Sequence, residues 1–353
     1  MHWLINIPVW GERYRRNFLQ RGLPSIVAAL RYANVSPRDV LFVLHTDEPQ
    51  EMRAAMEGCV VLTIPLGNNT PERLGNATRI GLTKAEPGEC VMFYNADMVI
   101  SRETFAACEK RFSEGKSFVT AHSVRVRDDA DPALDASARE LLAWGWDHRH
   151  RWVDDCIYGS GHAAGPAIVV FESPHNVVAH CFSLQCLAVH KTRDIVFSGP
   201  TCDELVDCFT PDEVHVVTDA DELAIVEPCS PDMPYDRLPP PRFSWQKWRA
   251  INDRQITAFA PTYASEMMRW QFGRQIVIKG SKRRYAQAIA DRILARADRS
   301  KHPARLLPFS DQRNAAVAFH SRKARFIRAV LRVPPSLRHL VPQIVRNEVI
   351  RWI

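Results

Sequence analysis

An α/β fold, with a mostly parallel sheet flanked by helices and a basic helical C-terminal extension, is what this 353-residue sequence predicts. Three observations carry it. Apolar runs of strand length alternate with segments of helical spacing through the first hundred residues, the pattern of βαβ units. Polar clusters stand where those runs end, the edge at which such sheets bind ligands. The charge divides along the chain: residues 1–264 hold 26 Lys+Arg against 35 Asp+Glu, a balance of −9, and residues 265–353 hold 20 against 5, a balance of +15.

Residues 2–9 form an apolar run that ends at Pro8-Val9-Trp10-Gly11, a strand followed by a loop. Residues 14–34 place Phe18, Leu19, Leu23, Ile26, Val27 and Leu30 at helical intervals, interrupted near Gly22 and Pro24. A second strand at 40–46 stops at Asp47-Glu48-Pro49. A short helix at 51–57 then leads to a third strand at 59–65. Residues 71–85 read as a helix, Pro87-Gly88 breaks it, and 90–94 is a fourth strand. Beyond it the pattern is mixed, with strands expected at 167–171, 184–189 and 214–218 and helices at 265–270, 285–297 and 314–331.

Composition excludes several classes. Apolar residues make up 46 % and charged residues 24 %, so the chain can bury a core and is not disordered or low-complexity. No apolar run reaches the ~18 residues of a membrane span, and the N-terminus has no basic, apolar leader. Nine cysteines without a C-x-x-C pair fit reduced thiols rather than a zinc site or a disulfide framework. A cytoplasmic protein is the expectation. No G-x-G-x-x-G follows the first strand and no P-loop occurs, which disfavours dinucleotide and P-loop sites.

The sharpest local feature is Tyr94-Asn95-Ala96-Asp97 at the end of the fourth strand. Residues two apart on an extended segment point the same way, so Asn95 and Asp97 can share a ligand across small Ala96. A carboxylate and an amide oxygen suit Mg²⁺ or Mn²⁺ bridging a diphosphate. The bland alternative makes Asp97 the cap of a helix beginning near residues 101–103.

The first strand, the helix carrying Leu23-Pro24-Ser25-Ile26, the 40–46 strand with Asp47, the helix carrying Gly75-Asn76-Ala77-Thr78-Arg79-Ile80, and Tyr94-Asn95-Ala96-Asp97 come in a characteristic order. Together they resemble the nucleotide-binding half of GT-A-type glycosyltransferases of the family 2 kind, over residues 1–110 and more loosely 160–227. The resemblance implies a metal-dependent transfer of a sugar from a nucleotide-diphosphate donor to an acceptor hydroxyl on a carbohydrate, glycolipid or protein-linked glycan. It implies that Asp97 with Asn95 holds the metal under the diphosphate, with Asn95 where the family has an acid, and that His190 completes the shell. Pro8, Trp10, Glu12 and Asp47 then lie beside base and ribose, with Asn76 and Arg79 in reach of base or phosphate. A turn and a cap account for the first four equally well, and a solvated helix face is the plainer reading of Arg79. Asp203, with Glu204, resembles the acidic motif that deprotonates the acceptor in inverting enzymes; the helix dipole alone also favours acids in a first turn.

Asp219 and Asp221 form a second acidic pair after an apolar run and compete for the metal. The aromatic stretch 144–152 is either an acceptor lip or a pin onto the core, Asp154 and Asp155 are rival bases, and the small-residue loop 159–166 could close over a sugar. A catalytic body at 1–236 (nucleotide half 1–110, acceptor half 111–236), a proline-rich hinge at 237–264 and a basic helical region at 265–353 are expected. The last suits an anionic membrane face or the acidic body itself, with nucleic acid the lesser partner. A sugar nucleotidyltransferase and a catalytically degenerate binding module are the alternative readings.

Overall fold

The computed structural model describes residues 1–65, 73–150, 153, 168–173, 175–181, 184–199, 202–229 and 265–299. The first half follows the alternation of the sequence. It runs β1 (Trp3–Val9), α1 (Glu12–Asn17), a π-helical turn (Phe18–Gly22), α2 (Leu23–Tyr32), β2 (Val40–Thr46), α3 (Pro49–Ala55), β3 (Val60–Pro65), α4 (Arg73–Lys84) and β4 (Cys90–Phe93). Then come β5 (Val99–Ile100), α5 (Thr104–Ser113), β6 (Phe118–Ala121), β7 (Ser123–Arg127) and α6 (Ala138–Asp147). The rest comprises β8 (Ile168–Ser173), β9 (Asn176–Cys181), β10 (Gln185–His190), a 3₁₀ segment (Cys202–Cys208), β11 (Val214–Val216), β12 (Ile225–Cys229), α7 (Glu266–Phe272), β13 (Ile276–Lys279) and α8 (Arg284–Arg299).

Seven strands form the central sheet in the order β11-β6-β10-β4-β1-β2-β3. All its pairings are parallel except those of β10, which runs against β4 and β6. Two three-stranded sheets, β5-β12-β7 and β13-β9-β8, complete the layers. The main sheet is buried on both faces because side chains alternate along each strand. On β1, Trp3, Ile5 and Ile7 pack with Ile26, Leu30 and Phe105 on one face, while Leu4 joins Val43, Val91, Leu82 and Phe118 on the other.

That second face also carries a polar spot. Asn6 Oδ1 meets His45 Nε2 at 2.8 Å, both buried. Gly81 lets α4 cross directly above: a Cβ there would stand 2.7 Å from Asn6 Cγ. The buried Lys191 ammonium donates to the carbonyls of Leu82 (3.0 Å) and Ala85 (2.7 Å), capping the end of α4 with a cation where the helix dipole favours one.

Register decides where the site forms. Asn6 lies opposite Phe93 and Val9 opposite Thr46, so the segments after β1, β2 and β4 emerge along one sheet edge. The C-terminal region differs from a purely helical extension. β13 pairs antiparallel with β9, and His180 Nδ1 of β9 meets the Phe272 carbonyl at 2.8 Å, so residues 265–299 join the body. The hinge prolines 239–241 and the helix expected at 314–331 lie outside the described residues. No helix among the described residues is long and apolar enough to cross a membrane.

Candidate active site

β4 leads into a buried aromatic residue, Tyr94, that organises the turn after it. Tyr94 is fully buried, and its hydroxyl donates to the Met98 carbonyl and lies 3.4 Å from the Ser25 hydroxyl. The Met98 N–H donates to the Asn95 carbonyl at 2.9 Å, closing Asn95-Ala96-Asp97-Met98 into a tight turn. Asp97 caps no helix, because β5 intervenes and α5 begins only at Thr104.

β5 pairs with β12, Val99 opposite Val226, which brings Glu227 of β12 beside the turn. Glu227 is 3 % exposed. Arg125, its register partner on β7, approaches its Oε2 at 3.2 Å, and Gln185 Nε2 donates to its Oε1. Gln185 Oε1 in turn accepts from Asn95 Nδ2 at 3.3 Å. Burial pushes the Asp97 carboxyl up to about 7, and the charge of Glu227 adds to the rise; Arg125 and Arg13 pull the other way. Arg13 of α1 also holds Asp128 at 3.0 Å. The Tyr14 hydroxyl is raised first by burial and then by Asp97. Asp97 therefore stands where α1, β4, β7 and β12 meet, and makes no ion pair among the described residues.

His190 does not join this group. β10 is antiparallel to β4, so its last residue pairs with Cys90 at the far end and its first, Gln185, comes to the ligand-binding edge. His190 packs beside Phe112, ring centroids 5.5 Å apart. An imidazole ending a parallel strand would have reached the turn; this one is several strand residues away, at roughly 3.3 Å each. Glu227 and Gln185 are the residues sequence reasoning missed. An acid inside the apolar run Ile225-Val226-Glu227 was the available signal.

Pro8 lies within β1, opposite His45, so only Trp10 and Gly11 link that strand to α1, along the same edge. Gly11, at φ +79°, donates its N–H to Asp47 Oδ2 at 2.8 Å, and Arg15 donates to Oδ1 at 2.8 Å. Partial burial opposes ionisation of Asp47, but these two hydrogen bonds hold its carboxyl below its ordinary value. Both Asp47 oxygens thus brace the turn. Glu12 is exposed in the first turn of α1. Trp10 lies 6.3 Å from the Tyr14 ring and carries the Arg73 guanidinium 5.8 Å from its centroid. On α4, Arg79 donates to the Asn76 side chain and to the Gly199 carbonyl at 3.4 Å, joining the helix to the segment before the 3₁₀ turn rather than presenting a free solvated face.

Asp203 and Glu204 stand in that 3₁₀ segment, which packs on α4, β10 and α7, with Leu205 and Val206 in the core. Glu204 Oε2 lies against Gly199, 2.4 Å from where a Cβ would be. The rival acidic pair is engaged elsewhere. Asp221 takes Arg139 with both oxygens, Asp219 accepts the Asp221 N–H at 3.1 Å, and Glu222 pairs with Arg111 (2.7 Å) and His215 (2.8 Å). In the aromatic stretch, Trp146 is buried in the core and Trp144 stacks on His148 at 4.6 Å; Asp154, Asp155 and the 159–166 loop lie outside the described residues.

Asp97 offers a carboxylate and Asn95 an amide oxygen, the donor types of a hard-cation site that substrate phosphates complete. Among the described residues no three His, Cys, Asp or Glu side chains form an all-protein cage. No protein-family description matches the chain, and no curated protein matches it. Among solved structures, a crystal structure of S. aureus TarS 1–349 aligns over 96 % of this chain and 77 % of that one, at 12 % identity and a TM-score of 0.38, a likeness that carries no functional inference.

Proposed function

We propose that this chain is a GT-A-like glycosyltransferase that uses Mg²⁺ or Mn²⁺ and a nucleotide-diphosphate sugar, transferring the sugar to a carbohydrate or glycan-linked hydroxyl. One observation carries the reading. The Asn95–Asp97 turn stands at the carboxyl edge of a mostly parallel sheet, and its carboxylate, which makes no ion pair among the described residues, is pressed by a second one, Glu227. A cation placed there would neutralise charge gathering on the departing diphosphate. Asp97 supplies the charged oxygen, and Tyr94 keeps the turn from relaxing. Trp10 offers a flat face to a base beside the turn braced by Asp47. Asp203 or Glu204 would take the acceptor proton, which is the inverting reading.

Calorimetry with UDP and GDP, with and without Mn²⁺, tests this. The wild-type chain is expected to bind one of them in a metal-dependent manner. Asp97→Ala should lower that affinity by about 100-fold or more, the scale on which one focused electrostatic contact acts. Metal-independent binding that survives Asp97→Ala unchanged would overturn the assignment.

A further inference from the structure

An amide at a cation site raises a chemical question, because only its oxygen end can serve a cation and its N–H end cannot. The side chains behind Asn95 answer it. A carboxylate only accepts, so Gln185 must turn its Nε2–H toward Glu227. That turns Gln185 Oε1 the other way, where it accepts from Asn95 Nδ2 at 3.3 Å. The N–H end of Asn95 is thereby used, and Oδ1 is left on the side away from Gln185. Arg125, 3.2 Å from the other Glu227 oxygen, holds the carboxylate at the head of this chain in place.

We propose that Glu227 is a positioning residue, the head of a one-way relay through Gln185 that aims the Asn95 oxygen at the cation. The inference rests on the cation reading of Asn95 and Asp97. It makes a specific demand on chemistry: the direction of the relay matters only while position 95 has two unlike ends. Glu227→Gln must keep its oxygen for Arg125, so its N–H end faces Gln185 and the relay reverses, turning the Asn95 oxygen back toward Gln185. Asn95→Asp has two oxygens and needs no aiming. With both changes the relay is satisfied in reverse, the new amide donating to Gln185 and Gln185 donating to the new carboxylate.

Mn²⁺ binding to the full chain, followed by electron paramagnetic resonance with and without UDP or GDP, is the direct readout. Glu227→Gln should weaken Mn²⁺ binding by about 10–100-fold, the usual effect of losing an orienting partner. Adding Asn95→Asp to that variant should restore Mn²⁺ affinity, which a merely structural role of Glu227 would not allow. Unchanged Mn²⁺ affinity in Glu227→Gln, or no recovery in the double variant, overturns the relay. If the wild-type chain takes up no Mn²⁺ with either nucleotide, the cation reading fails and the relay is judged by nitrogen-15 NMR. The side-chain NH₂ signal missing from Asn95→Asp identifies Asn95. That signal should shift and lose protection from exchange in Glu227→Gln, and a signal that stays put overturns the proposal.

Discussion

Burial drives Asp97 and His45 toward their neutral forms from opposite directions. The Asp97 carboxyl rises to about 7 and the His45 imidazole falls to about 4. Their effects on stability have opposite signs. The folded state holds a proton on Asp97 that the unfolded chain releases, so this term favours folding at low pH and is lost as pH rises through 7. The unfolded chain charges His45 near its ordinary 6.5 while the folded chain resists, so this term is complete above 6.5 and is lost as pH falls toward 4. Linkage puts the His45 loss between pH 7 and 4.5 at about 2.5 kcal/mol. His45→Gln keeps a donor for Asn6 but does not titrate, and urea unfolding at the two pH values should show its acid loss smaller by about that amount. Two neighbours test packing at the same scale. Gly81→Ala forces a methyl to within 2.7 Å of Asn6 and should cost about 1–3 kcal/mol in urea unfolding. Tyr94→Phe orphans the Met98 carbonyl and should cost about 1–3 kcal/mol while also weakening metal-dependent nucleotide binding.

The elements from β1 to β4 were legible because each carries its own signal. β1, β2 and β4 are continuous apolar runs, and Pro49 and Pro87-Gly88 mark where neighbouring segments begin or break. β7, β12 and β13 were not, because Arg125, Glu227 and Lys279 interrupt short runs whose pairing is settled only by partners far along the chain. The same non-locality explains the site. Spacing singled out Asn95 and Asp97 as neighbours on an extended segment, but they stand in a tight turn; Glu227 and Gln185 arrive through the registers of β12 and β10, and the direction of β10 is what removes His190. The family resemblance implied that Asp47 lies beside base and ribose; in the fold it holds α1 against β2 through Gly11 and Arg15. Asp47→Ala should lower stability by about 1 kcal/mol, reduced from the full worth of charged hydrogen bonds by its exposure. Differential scanning calorimetry would register that loss.

At the scale of the whole molecule, the charge boundary near residue 264 is not a structural one. Residues 265–299 close the third sheet through β13, and Phe272 caps His180. A chain ended at residue 264 should therefore lose cooperative unfolding by circular dichroism. Most of the remaining positive balance, 11 Lys+Arg against 2 Asp+Glu, lies in residues 300–353.

The π-helical turn at Phe18–Gly22 ties the N-terminal helices to the candidate site through close packing. A π turn is an α turn with one residue too many, and such bulges collect at functional sites. Here the widened turn serves as a socket. Gly22 comes so close that a Cβ would stand 3.0 Å from the Tyr94 hydroxyl, the group that locks the Asn95–Met98 turn. Lineages that trimmed that spare residue would lose the socket, so the two segments, some seventy residues apart, are expected to have changed together or not at all.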